Sequence, residues 1–482
     1  MLRRSACVAR RAVTARRRLL AAAHYYPLEP SAPVLVTDQV PGPKLAQILE
    51  SLGEVYDNNT ANFVVGYRKS IGNYIADADG NLMLDVFQQI ALIALGYNNP
   101  ALIAAAQLED QVVALVNRPA LAVFPLADYG DILRTGLLKA APPGMKRVWT
   151  SSHGSDANEM AYKAAFMLQH ARERGDRDFS AAEIALLMLN QPPGCSKKTI
   201  LSFNGAFHGR LFGLLSTTRS KPIHKLDIPA FDWPVAPFPQ LQYPLEDHVE
   251  ANKLEEQRCL EEVDKILARG DVAAVVVEPV QSEGGDNHAL PQFFQQLRKI
   301  TQDRGVFLIV DEVQTGGGGT GKFWAHEHWN LPLPPDMVTF SKKMQAAGFY
   351  YAEPDLQPKL AYRQFHTWCG DPLKAIIARA IIDEVQKHGL VDATAATGDY
   401  LYGQLQKLQE LGQILRLRGQ GMGTFIAFDM PTPDARNQLV AKLKQLGVVA
   451  GGCGDKLVRL RPLLTFGTPH ADVFIDKLHQ AL

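Results

Sequence analysis

The chain has 482 residues, 46% of them hydrophobic and 21% charged, and its 50 basic side chains balance 50 acidic ones. That composition excludes a disordered tail, a coiled coil and a collagen-like fibre, and no apolar run reaches the roughly 18 residues needed to cross a bilayer. At about 150 residues per domain the length predicts two or three domains, one of them large.

The charge balance hides an asymmetry at the start of the chain. Residues 1–28 hold seven arginines, and the first acid is Glu29. A basic, amphipathic, alanine-rich and acid-poor start is the pattern of a mitochondrial transit peptide, predicted here over residues 1–27, with the matrix as destination. Without it the body carries 43 basic and 50 acidic residues, a mildly acidic balance that argues against nucleic acid as a partner. Five cysteines at 7, 195, 259, 369 and 453 show no Cys-x-x-Cys spacing. Disulfides and a zinc site are therefore not expected, and a reducing compartment fits.

Residues 25–60 read as irregular. From about Ser70 short β-branched runs alternate with segments of helical period. The predicted strands are Arg147–Thr150, Thr199–Phe203, Val272–Glu278, Val306–Asp311 and Met337–Phe340. The predicted helices are Ala157–Arg174, Cys259–Arg269, Pro291–Arg304, Leu373–Lys387 and Thr397–Leu411. Such alternation means βαβ units and a mostly parallel sheet, with ligands beyond the carboxyl ends of its strands. Shorter strands near the end (Gly423–Phe428, Val448–Ala450, Val458–Arg461) suggest a separate α+β cap.

The residues after each strand carry the chemistry. Ser151-Ser-His-Gly-Ser-Asp-Ala-Asn-Glu159 opens a helix, and Gly154 and Ser155 could cradle an anion there; an ordinary N-cap by Ser155 or Asp156 fits the same string. Asn204-Gly-Ala-Phe-His-Gly-Arg210 offers Phe207 as a flat plate and Arg210 as a carboxylate clamp. Glu278 and Glu283 follow a strand too apolar for unpaired charge, and Asp311 closes another. Gly316 to Lys322 has the glycine and lysine spacing of a P-loop, but Phe323 stands where Ser or Thr would hold magnesium. His326 and His328 would point apart on a helix, which weakens a metal site. Ser341-Lys342-Lys343-Met344 supplies a strand-end lysine able to form a Schiff base. A phosphate cradle, an aromatic plate, a buried aspartate and a strand-end lysine on one sheet edge are the parts pyridoxal phosphate needs.

On these strings the chain resembles the class-III, ω-amino-acid aminotransferases of fold type I, and within them the eukaryotic mitochondrial group that acts on 4-aminobutyrate. The resemblance runs from about Gly42 to the C-terminus. Its narrower marks are Phe231-Asp-Trp-Pro234 and Gly451-Gly-Cys-Gly-Asp-Lys456. It implies a large domain (91–375) with a mostly parallel sheet flanked by helices, and a smaller α+β domain from residues 28–90 and 376–482. It implies transfer of an amino group from 4-aminobutyrate to 2-oxoglutarate in a ping-pong reaction, in a homodimer with shared sites. It matches Lys343, on its spacing to Gly348, to the Schiff-base lysine and Asp311 to the partner of the pyridinium nitrogen. It matches Gln314 to the ring oxygen, Gly154 and Ser155 to the phosphate, Phe207 and neighbouring His208 to the ring stack, and Thr367 to the phosphate across the dimer interface. Substrate residues carried over are Arg210 for the distal carboxylate, Arg459 for the α-carboxylate of glutamate, Glu283 as its stand-in partner, and Ile90 as a pocket wall. Arg461 is the alternative to Arg459. Animal members carry Cys-x-x-Cys where this chain has His153 and Asp156, so no iron–sulfur cluster is expected. Phe87 stands where relatives often have tyrosine. Another ω-aminotransferase, acting on ornithine, lysine or β-alanine, and a non-catalytic binding protein on this fold are the rival readings.

Overall fold

The computed structural model describes residues 26–482, so the predicted transit peptide lies, but for its last two residues, outside the described residues. Fourteen strands, β1 to β14 in chain order, form three sheets among them.

The largest sheet holds β3 (Arg147–Ser151), β4 (Thr199–Phe203), β5 (Val235–Ala236), β6 (Val272–Val277), β7 (Phe307–Asp311), β8 (Met337–Phe340) and β9 (Ala347–Tyr351), in the order β3-β9-β8-β7-β6-β4-β5. The neighbours β5, β4, β6, β7 and β8 run parallel, and β9 alone runs against the rest. The carboxyl ends of β3, β4, β6, β7 and β8 therefore share one edge. Every residue of β6, β7 and β8 is buried, as expected of strands covered on both faces. Side chains alternate between two cores. Val275, Val277, Leu308, Val310 and Val338 face Phe293, Phe294, Val263 and Ile266 of the helices Pro291–Asp303 and Val249–Leu267. Ala274, Val276, Ile309 and Met337 face Ala161, Ala164, Ala165 and Leu168 of the helix Gly154–Arg174. That stripe of small side chains brings the helix axis close to the strands and its N-terminus up to the sheet edge.

The second sheet is antiparallel, in the order β10 (Leu415–Arg418), β11 (Ile426–Asp429), β14 (Leu457–Leu460), β13 (Gly451–Cys453). Arg459 and Arg461 stand two apart along this chain segment and so share a side. The third sheet joins β1 (Tyr74–Ala76) and β2 (Leu82–Asp85) to β12 (Val448–Val449), which runs parallel to β2.

Differences from the sequence reading are local. The helix expected from Cys259 starts at Val249 and the one expected from Thr397 starts at Leu390. A helix, Lys44–Gly53, lies in the segment read as irregular. Strand β9 is an addition, since Ala-Gly-Phe-Tyr-Tyr carries no alternation to announce it.

Candidate active site

The helix at the end of β3 begins at Gly154, three residues before the expected start. Its N-cap is His153, not Ser155 or Asp156: His153 Nδ1 accepts the Asp156 N–H at 3.2 Å. Asp156 reaches back to the Ser152 N–H at 2.8 Å and lies 3.1 Å from His366 Nε2. The N–H groups of Gly154 and Ser155 are thus left to the edge of the sheet, with no partner among the described residues, as first-turn amides are until a ligand takes them. Gly209, at φ +124°, has its Cα over Ser155; an added Cβ would lie 2.3 Å from Ser155 Oγ. Glycine there lets the Asn204–Arg210 loop close over the helix start.

Asp311 ends β7 at 4% exposure. Its Oδ2 accepts from the Asn158 amide and faces His208 Nδ1, each at 2.8 Å, and its Oδ1 accepts the Val313 N–H at 3.0 Å. Asn158 also donates to the His208 carbonyl at 2.9 Å, locking this group together. Glu278, at the end of β6, accepts the Phe207 N–H at 2.8 Å. Burial, with Asp311 nearby, pushes its carboxyl well above the usual range. Phe207 is half-buried, with its ring centroid 5.4 Å from that of His224 and from the Arg210 guanidinium; Arg210 Nη2 lies 3.2 Å from His224 Nε2.

The two strand-end lysines point to different places. They sit in a short 3₁₀ turn, Lys342–Met344, that Lys342 enters at φ +45°. Lys343 is 1% exposed and runs into the glycine-rich turn behind the sheet edge. Its Nζ donates to the Gln314 carbonyl and lies 5.1 Å from the Phe425 ring centroid, and an added Cβ on Gly317 or Gly319 would touch its stem. The charges acting on it are Lys342, Arg461 and Glu312. Lys342 instead shares its surroundings with Arg459, Glu283, Asp311 and Glu278, and burial followed by the charge of Arg459 pushes its amine down to about 8. It lines a cavity of about 320 Å³ with Ser152, Ser341 and Ala346. Lys343, matched to the Schiff-base lysine on its spacing to Gly348, is thus the lysine beside Gln314, and Lys342 is the one beside Arg459 and Glu283.

The 278–286 loop is held by the second sheet. Arg459 Nη2 donates to Glu283 Oε1 at 2.6 Å, and Lys221 Nζ is 3.6 Å from the other oxygen. Burial would raise the Glu283 carboxyl, but Arg459, Lys221 and Lys342 outweigh it and hold it down to about 2. Arg461 binds Asp286 at 2.5 Å. Cys453 Sγ donates to the Ser282 and Glu283 carbonyls at 2.8 and 3.1 Å, which fixes the glutamate's backbone. Ile90, at φ +67°, is exposed in the turn after Phe87, whose ring lies 5.4 Å from the Arg459 guanidinium. Thr367 is exposed beside His366.

A buried carboxylate on this edge, two unbonded helix-start amides beside a serine hydroxyl, and a lysine whose amine is readily freed fit pyridoxal phosphate. The Aminotransferase class-III family profile matches residues 55–482. The chain belongs to the class-III aminotransferases. It is 54% identical over 479 residues to the 4-aminobutyrate aminotransferase of Emericella nidulans, covering 98% of this chain and 95% of that one. It is 46% identical over 447 residues to the human mitochondrial 4-aminobutyrate aminotransferase, covering 92% and 89%. Among solved structures it superposes on a lysine aminotransferase of M. tuberculosis with a TM-score of 0.80 at 30% identity, covering 91% of this chain and 98% of that one. Membership of the class-III aminotransferases makes this a pyridoxal-phosphate-dependent enzyme working on small molecules.

The Gly316–Lys322 segment is not a nucleotide loop. It is a run of turns, with the Gly317 N–H donating to the Phe323 carbonyl at 2.8 Å and its lining packed on Lys343. His326 faces Glu312 at 2.8 Å and His328 faces the Thr320 carbonyl at 2.9 Å; among the described residues no cluster could hold a metal. Sequence reasoning missed Asn158, Lys221, His224 and Cys453 as parts of the site. The last three lie inside or beside the strings that carried the resemblance. Asn158, one turn beyond Gly154 on the same helix face, could have been found from that spacing.

Proposed function

We propose that this chain moves the amino group of 4-aminobutyrate to 2-oxoglutarate, giving succinate semialdehyde and L-glutamate in two half-reactions through one pocket. The observation that carries the reading is the Arg459–Glu283 pair beside Lys342 and Asp311. 4-Aminobutyrate has one carboxylate and glutamate has two, so the pocket needs a cation that can be covered in one half-reaction and used in the other.

Pyridoxal phosphate, when bound, supplies an electron sink for the charge left on the substrate carbon. The protein does the rest. Gly154, Ser155 and, from the partner subunit of a homodimer, Thr367 hold the phosphate. Asp311, oriented by His208 and Asn158, keeps the ring nitrogen protonated, Phe207 backs the ring and Gln314 faces its oxygen. Lys343, beside Gln314, would hold the cofactor at rest and, once free, would move the proton off the substrate carbon as general base. Lys342 is its supporting neighbour on the cavity side. Arg210 takes the distal carboxylate of either substrate, with Ile90 as a neighbouring wall. Glu283 neutralises Arg459 while 4-aminobutyrate is bound and releases it to the α-carboxylate of glutamate.

We infer further that residues 28–90 and 376–482 form a small domain around the large domain 91–375, a reading supported by the pairing of β2 with β12. Exposed apolar side chains on the segment Leu108–Phe124 (Leu108, Val112, Val113, Leu115, Val116, Phe124) support a second copy of the chain as partner. His153 and Asp156 serve the helix start, so no iron–sulfur cluster is assigned. The mitochondrial naming of the human and pig relatives supports a matrix location with residues 1–27 as leader.

The test is the visible spectrum of the purified protein given 4-aminobutyrate without keto acid. The cofactor band should bleach and return on adding 2-oxoglutarate. A band that bleaches with ornithine, lysine or β-alanine but not with 4-aminobutyrate would overturn the substrate, and no band with added cofactor would overturn the enzyme.

A further inference from the structure

Arg459 and Arg461 leave the same side of one chain segment, yet only Arg459 faces Glu283. Arg461 is 1% exposed and its guanidinium lies 3.9 Å from the Phe425 ring centroid. Its donors are spent in three directions: Nη2 on Asp286 at 2.5 Å, Nη1 on the Leu460 carbonyl at 2.8 Å, and Nε on Gln314 Oε1 at 3.2 Å. This set leaves Arg461 no role as a substrate clamp and gives it another.

Arginine can only donate. The atom of Gln314 that meets Arg461 is therefore the amide oxygen, and the NH₂ group of that amide must face the other way. The backbone of Gln314 is fixed as well, since its carbonyl accepts from Lys343. Gln314 Nε2 makes no hydrogen bond among the described residues. Asp286, itself 1% exposed, anchors the arginine.

We propose that Arg461 is a positioning residue: clamped by Asp286, it fixes the rotation of the Gln314 amide so that its N–H groups are presented to the ring oxygen of the bound cofactor. This rests on the pyridoxal-phosphate reading above. A donor on that oxygen favours its ionised form. The ionisation of the cofactor, which sits on the large sheet, is thereby set in part by an arginine of the small one.

The test is an absorbance titration of the full-length holoenzyme across pH. Gln314→Ala removes the donor and should raise the optical midpoint by about one pH unit. Arg461→Gln should raise it by a similar amount, and Arg461→Lys should restore part of the difference. The double variant Arg461→Gln, Gln314→Ala should shift no further than Gln314→Ala alone, because the arginine acts through the amide. Additive shifts would mean that Arg461 acts through space as a charge, and would overturn the proposal. So would an Arg461→Gln protein with a lowered melting temperature and an unmoved optical midpoint, the mark of a purely structural arginine. Should Arg461→Gln fail to fold, Asp286→Asn loosens the clamp in place; a smaller upward shift supports the relay and an unmoved midpoint overturns it. A protein with no cofactor band would remove the enzyme reading itself, and this proposal with it.

Discussion

Arg459 uses one of its nitrogens on Glu283: Nη2 reaches the carboxylate at 2.6 Å, while Nε and Nη1 are buried with no partner among the described residues. A guanidinium presents its donors as a fork, so half of this fork is held ready for a second carboxylate. Glu283→Gln removes the countercharge and leaves Arg459 uncovered in the half-reaction that starts from 4-aminobutyrate. There kcat/KM should fall about 10- to 100-fold, on the order of 1.4–3 kcal/mol, while the glutamate half-reaction changes less. Single-half-reaction kinetics with each donor separate the two, and equal losses would sink the switch.

The same pair sets an acid limb of stability. The Glu283 carboxyl is held at about 2 against an ordinary 4.5. A depressed carboxyl pKa stabilises the fold above the unfolded value, and that contribution is lost as pH falls through the folded one. Between about pH 4.5 and 2 the protein should therefore lose up to about 3 kcal/mol from this group. Urea midpoints measured against pH should show a shallower acid decline in Glu283→Gln.

Reduction of the holoenzyme with borohydride, followed by peptide mapping, should find the cofactor on Lys343. Lys343→Ala should bind the cofactor without turnover, whereas Lys342→Ala should retain a measurable rate. Burial, followed by the charge of Lys342, pushes the Lys343 amine well below the usual lysine range. Cofactor uptake by the stripped protein should accordingly already be fast well below the ordinary lysine value of about 10.4. A label on Lys342 would overturn the assignment.

Gly398 lies in the helix Leu390–Glu410 and packs directly on the Gly423 backbone. An added Cβ would sit 2.0 Å from the Gly423 carbonyl oxygen, and backbone cannot swing aside as a side chain does. Gly398→Ala should destabilise by about 1–3 kcal/mol through overpacking, although alanine is the better helix former. Calorimetric melting decides which effect wins.

The apolar surface around Leu108–Phe124 should be closed by a second copy. Val116, 73% exposed, changed to aspartate should shift the sedimentation coefficient to that of a single chain. Cofactor retention should fall with it, because Thr367 would no longer reach the phosphate.

Much of the site could be read from the chain because parallel strands deliver their next residues to one edge: Phe207, Asp311, Glu283 and the lysine pair all follow predicted strands. What each lysine of the pair meets was hidden because it depends on a left-handed residue, Lys342, inside a one-turn helix. Arg461 was hidden for a related reason. An arginine two places from another shares its side of a strand, but what each side chain meets is decided by the facing loop, here Asp286 and Gln314. The His153 cap escaped because histidine is not among the side chains expected to cap a helix.

The parallel pairing of Val448–Val449 with Leu82–Asp85 has a consequence for the order of assembly. A chain made or threaded N-terminus first presents the β1–β2 hairpin with an open edge, and the strand that seals it arrives only when residue 448 does. Closing so long a loop is entropically slow, and an unsealed edge is a template for pairing with other chains. The last strands of the sequence thus govern when the first become safe, and an interruption of synthesis before residue 448 should leave an aggregation-prone product rather than a shorter enzyme.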